Sequence, residues 1–262
     1  MNTPALAVIN LQPRPQAEVD VLFLHHAGGS SFPYLQLGAG LCPRIEAFAI
    51  DLPGRGTNFG HPLQCEAAPT IAGILAAVLA RGLGSERPLL LVGHSLGAEL
   101  AFQVATALLG HVAADALQVV LSARGCQPRS SLPARDLSDR GILALLDRHG
   151  ATPQEVLEDP ALRQFVLATM RSDLLLLEQL ERLPRHRLPC RAHLVGGDRD
   201  VDVNGALAGW RPLFAACDAP ALLDGGHFYL FDDPHFVPWL ESRALALSDA
   251  TASHAEGSLY SD

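Results

Sequence analysis

Apolar positions along this chain follow two alternating rhythms. Short continuous or alternating runs at Val19–Leu24, Ile45–Ile50, Leu89–Val92, Leu117–Leu121, Arg191–Val195 and Ala221–Leu223 have the length and apolar character of buried strands. Between the second and third lies Thr70–Leu79, whose apolar spacing and alanine content suit a helix despite Gly73, and Ala98–Phe102 opens another behind the third strand. Strands alternating with helices predict a mostly parallel sheet covered on both faces, with reactive groups gathered at the carboxyl ends of the strands.

From Arg124 to Pro189 the alternation stops. Asp139–His149, Pro153–Glu158 and Pro160–Leu183 read as helices, with proline and glycine at the joints. The pattern predicts an α/β core of residues 1–123 and 190–247 carrying a helical insertion, 124–189, which would cover the strand ends as a lid and form a groove for an extended substrate. Residues 248–262 are small and polar and are expected to be disordered.

Composition narrows the function classes. With 262 residues, 48% hydrophobic and 18% charged, the chain can bury one sizeable core. Met1-Asn2-Thr3-Pro4 leads into mixed sequence, and no apolar run approaches the roughly 18 residues of a membrane span, so a soluble cytoplasmic protein is expected. The net charge of −9 repels nucleic acid and acidic membranes, so an acidic partner has to be met by a local basic patch. Five scattered cysteines without C-x-x-C or Cys/His ligand spacing read as reduced and structural, and no metal or cofactor site is expected.

The chemistry concentrates at Gly93-His94-Ser95-Leu96-Gly97, directly behind the run Pro88–Val92. A strand that turns sharply into a helix there holds a serine hydroxyl at the apex of the turn, as in a nucleophile elbow. A serine hydroxyl is a weak nucleophile and needs a base that is itself oriented by a carboxylate, here in the chain order serine, acid, histidine. His227 is the best base of eleven histidines, because Gly225-Gly226-His227-Phe228 follows a short strand and its glycines let a loop carry the ring over the sheet edge. His235 reads as a surface residue and His193 as a packed core histidine.

For the acid, Gly196-Gly197-Asp198-Arg199-Asp200-Val201-Asp202 ends a strand with three carboxylates, of which Asp200 is favoured by its spacing from Gly197 and Asp198 is the alternative. The remaining carboxylates suit turn chemistry. The oxyanion needs donors, and these are expected from the Leu96 amide and, in the loop His25-His26-Ala27-Gly28-Gly29, from that of Ala27. His26, His94 beside the serine, and Asp173 in the insertion are expected around the substrate, Asp173 also as an anchor of the lid.

With these residues in place the sequence resembles the discrete type II thioesterases that accompany modular polyketide and nonribosomal peptide synthetases. The resemblance runs from about Val19 to Leu240 and rests on Phe23-Leu24-His25-His26-Ala27-Gly28-Gly29-Ser30, Leu52-Pro53-Gly54-Arg55, the elbow, Met170-Arg171-Ser172-Asp173, Gly197 to Asp200, and Gly225-Gly226-His227-Phe228. It implies an α/β-hydrolase fold, Ser95, Asp200 and His227 as a triad, Ala27 and Leu96 as oxyanion donors, and an acyl thioester on the phosphopantetheine arm of an acyl- or peptidyl-carrier domain as substrate. The chain departs from the family at His25, where proline is usual, and at Gly56–His61, which lacks a charged E-x-R continuation. Since such carriers are usually acidic, Arg124, Arg129, Arg135 and Arg140 are the candidate docking cations.

Overall fold

A computed structural model describes residues 6–127, 134–150, 158–201, 203 and 205–259. Eight strands form one sheet: β1 (Val8–Gln12), β2 (Val19–Leu24), β3 (Ile45–Ile50), β4 (Leu89–His94), β5 (Leu117–Ser122), β6 (Leu188–Gly197), β7 (Phe214–Cys217) and β8 (Ala221–Leu223). The order is β1-β3-β2-β4-β5-β6-β7, with β8 joining the far end of β6, and every pairing is parallel except that of β1 with β3. This is an α/β-hydrolase architecture, a mostly parallel sheet flanked by helices.

The central strands read as continuous apolar text because both of their faces are covered: every residue of β2, β3 and β4 is buried. Helices α1 (Tyr34–Gly40), α2 (Ala67–Arg81), α3 (Leu96–Leu108), α6 (Tyr229–Asp232) and α7 (Phe236–Leu259) pack around them. Side chains such as Phe23, Phe48, Leu91, Phe102, Val120 and Trp210 are closed to solvent, and each contributes about 1.5–3 kcal/mol of hydrophobic stabilisation. Residues from 248 do not begin a disordered tail. They continue α7 as far as Leu259; Leu247 and Ser248 are buried, while residues 249, 250, 252 and 253 are exposed.

Between β5 and β6 lie α4 (Asp139–His149) and α5 (Pro160–Glu181). Ser138 caps α4 by accepting the Gly141 amide at 3.2 Å, and Asp159 caps α5 by accepting those of Ala161 and Leu162 at 2.8 and 3.0 Å. The two helices bury a separate small cluster, Ile142 and Leu146 against Met170, and this cluster rests on Ala27 at the end of β2. Five of the six residues expected to form a helix at Pro153–Glu158, together with Arg129 and Asp202, lie outside the described residues. Among the described residues no helix is long and apolar enough to cross a membrane, and all five cysteines are free thiols.

Candidate active site

Strand β4 delivers Ser95 into the turn before α3 with φ 57° and ψ −112°. A non-glycine residue held at positive φ is strained, and close packing on both sides keeps it there. The carbonyl of Ser95 accepts the Ala98 amide at 3.0 Å, and its own amide donates to the Ser122 carbonyl at 2.9 Å. Gly97 is needed for the approach of chain to chain, since a Cβ on it would stand 2.0 Å from the Leu24 carbonyl oxygen. The elbow therefore rests on the end of β2, beside the loop that carries Ala27.

The ends of β6 and β8 supply the other two groups. Gly197 lets their loops converge, because its Cβ would meet the Gly226 carbonyl oxygen at 2.2 Å. Nε2 of His227 lies 3.0 Å from Oγ of Ser95, and Nδ1 of the same ring lies 2.7 Å from Oδ2 of Asp200. Asp200 and His227 are both buried. Asp198 faces elsewhere: it accepts the Gly225 amide at 3.0 Å and lies 3.6 Å from Arg199. A hydroxyl hydrogen-bonded to an imidazole whose far nitrogen is held by a buried carboxylate is arranged for nucleophilic attack with proton transfer.

The loop after β2 is fixed by charge. Asp173, on α5, accepts the Gly28 amide at 2.7 Å and receives both terminal nitrogens of Arg55, Nη2 at 2.8 Å. Asp173 is fully buried, and its oxygens bond the Gly28 amide and Arg55, so it anchors the loop to α5. His94 is buried as well. Its ring is closed to solvent, and Nδ1 lies 2.8 Å from the Ser122 hydroxyl, which in turn meets the Tyr229 hydroxyl at 2.7 Å. It supports the site from beneath, its ring centroid 5.2 Å from that of His227. His26 keeps partial exposure and packs edge-on against Phe228, centroids 4.7 Å apart.

His25 is packed inside the core. Its Nδ1–H donates to the His26 carbonyl at 2.8 Å, and its Nε2 accepts the Leu52 amide at 3.3 Å. Burial, with the Arg55 charge second, holds this imidazole down at about 4, so the ring is neutral. Arg124 is no docking cation, being buried between Glu99 at 3.3 Å and Glu181. Arg135 and Arg140 are exposed.

One residue escaped the sequence reading. The ring of His149, at the end of α4, lies against that of His227 with centroids 4.2 Å apart and planes inclined at 36°. With Asp200 the two histidines bring ligand atoms within 4.8 Å of one another, the group of described residues able to hold a metal ion.

Residues 20–242 match the family model of the thioesterase domain. The chain is 30% identical over 236 residues to the thioesterase PikA5 of Streptomyces venezuelae, covering 88% of this chain and 83% of that protein. It is similar in structure to the type II thioesterase BorB from the borrelidin biosynthetic cluster, with a TM-score of 0.73, 27% identity, and 94% and 96% of the two chains covered. The fold is shared with YbtT, a type II thioesterase from the yersiniabactin pathway, at a TM-score of 0.78, 23% identity, and 93% and 98% coverage.

Proposed function

Because the chain belongs to the thioesterase family, we propose that it hydrolyses acyl thioesters carried on the phosphopantetheine arms of acyl- or peptidyl-carrier domains, in the editing or release of polyketide and nonribosomal peptide intermediates. The observation that carries this reading is the hydrogen-bonded line from Ser95 through His227 to Asp200, with spacings of 3.0 and 2.7 Å. Two flanking amides, those of Leu96 and Ala27, are the donors assigned to the oxyanion.

In this mechanism Ser95 attacks the thioester carbonyl while His227 takes its proton, and Asp200 stabilises the resulting imidazolium. The negative charge on the former carbonyl oxygen is met by the two amides, each lowering the barrier by roughly 3 kcal/mol. Collapse expels the pantetheine thiol, which receives the proton from His227. A thiol with a pKa near roughly 8.5 leaves more easily than an alkoxide, so the demand on His227 as an acid is light. Water then attacks the acyl-Ser95 ester by the reverse proton path and releases the free acid.

Helices α4 and α5 act as the lid in this reading, supported by the contact of their apolar cluster with Ala27. Exposed Arg135 and Arg140 remain the docking cations for an acidic carrier, and the working compartment is the cytoplasm, where such synthetases act. Matched acyl thioesters and oxygen esters of the same acyl group test the assignment. A preference for the thioester is expected, and a strong preference for the ester would transfer the chain's activity to carboxylester hydrolysis.

A further inference from the structure

His149 takes no part in the proposed reaction, yet it stands against the base. It is the last residue of α4, and Gly150 closes that helix in the left-handed conformation with φ 62°. One ligand atom each from His149, Asp200 and His227 lies within 4.8 Å of the others. Two imidazole nitrogens and one carboxylate oxygen form a donor set suited to zinc in a three-ligand site whose fourth position is left to water. We propose that these three residues form an inhibitory zinc site, in which the metal ties α4 to the Asp200–His227 pair and silences Ser95.

Ligand distances permit this. Tetrahedral ligands about 2.0–2.1 Å from zinc stand roughly 3.4 Å apart, so separations of up to 4.8 Å have to close by on the order of 1 Å. Asp200 Oδ2 and His227 Nδ1, 2.7 Å apart, have to open by somewhat less than that to admit the metal in place of the shared proton. His149 is half-buried at a helix terminus and supplies the movement. Magnesium and calcium prefer oxygen ligands and are poor occupants of a site with two imidazoles.

Inhibition follows from the proton count. Neutral His227 carries one proton on two nitrogens, and both nitrogens are in use, Nδ1 toward Asp200 and Nε2 toward Ser95. Zinc on Nδ1 leaves that proton on Nε2, which can then accept nothing from the serine. Nε2 faces away from Asp200, so the three-ligand site uses Nδ1. No proton is gained or lost overall, and the hydroxyl has no acceptor.

The test titrates zinc chloride into metal-free wild-type protein, His149→Phe and Ser95→Ala, with magnesium chloride as control. Bound metal is measured by equilibrium dialysis, and acyl-thioester hydrolysis is followed in parallel. Wild type is expected to bind one zinc per chain at micromolar concentration, to lose hydrolysis in step with occupancy and to recover with EDTA. The phenylalanine variant keeps a ring against His227 but no ligand nitrogen. Its zinc affinity and sensitivity to inhibition should fall by at least about tenfold, while its metal-free rate stays within about threefold of wild type. Ser95→Ala should bind zinc like wild type, so binding is read even if the proposed hydrolysis fails. Absence of bound zinc at roughly 100 μM in wild type, or equal binding and inhibition in His149→Phe, would overturn the proposal.

Discussion

Arg55 and Asp173 meet in a buried two-armed ion pair that ties the loop after β3 to α5, and Asp173 at the same time holds the Gly28 amide at 2.7 Å. The loop that carries Ala27 is thereby braced by the helical insertion, which couples the position of α5 to the loop beside the elbow. Removing one partner leaves an uncompensated buried charge, and Arg55→Ala or Asp173→Ala should cost roughly 3–5 kcal/mol in urea unfolding. Replacing both by leucine should restore much of that stability, since an apolar pair avoids the desolvation cost. Hydrolysis should stay impaired in the double variant, because Gly28 lacks its acceptor. Recovery of both properties would show that the pair serves stability alone.

The two strand-end carboxylates make a sharp contrast. Asp200→Asn should lower kcat by about 10⁴-fold, since the amide favours the wrong imidazole tautomer. Asp198→Asn should stay within about threefold of wild type, because Asp198 bonds the Gly225 amide and not His227. Steady-state kinetics of the two variants on one acyl thioester check this, and the reverse ranking would reassign the acid.

Gly97→Ala tests the elbow as a piece of packing. The new methyl would stand 2.0 Å from backbone oxygen, which cannot swing aside as a flexible side chain can. The variant should lose labelling of Ser95 by a fluorophosphonate even in whatever fraction remains folded by circular dichroism. Wild-type labelling would mean that the elbow and the end of β2 need not touch.

His25 gives the protein a pH dependence that is separate from catalysis. Its folded-state value of about 4 lies below the ordinary 6.5 because burial disfavours the charged ring. Between these values the unfolded chain binds a proton that the folded chain refuses. Stability is therefore complete above about pH 6.5 and falls as the pH drops toward 4, by about 3 kcal/mol for this group. His25→Gln cannot titrate, so its unfolding free energy should be flatter than that of wild type between pH 7 and pH 4.5. An unchanged slope would place the effect on other groups.

What the sequence disclosed follows physical lines. Strands β2, β3 and β8 stand at the expected bounds, and so does α4: burial on both faces marks β2 and β3, an amphipathic rhythm marks α4, and β8 is a short apolar run set off by the glycines that follow it. The edge strand β1 mixes Asn10 and Gln12 into a half-buried run, and β7 follows Phe214 with two alanines and a cysteine rather than large apolar residues, so neither announces itself. The end of α7 is written in small residues without a local apolar rhythm, and the buried positions of this stretch lie earlier, at Ala244, Leu247 and Ser248. The elbow and His227 carry glycine punctuation that is legible locally. The burial of Arg124 by Glu99, the bracing of Gly28 by Asp173 and the approach of His149 to His227 arise from tertiary packing, which no local pattern encodes.

Intact-mass spectrometry of the protein, quenched within its first turnover on an acyl-loaded carrier domain, tests the central claim most directly. The expected result is a mass increase equal to the acyl group, located on the peptide that contains Ser95, with matching loss from the carrier and neither change in Ser95→Ala. Release of the acyl group by Ser95→Ala at the wild-type rate, or turnover through an acyl adduct on another residue, would contradict it.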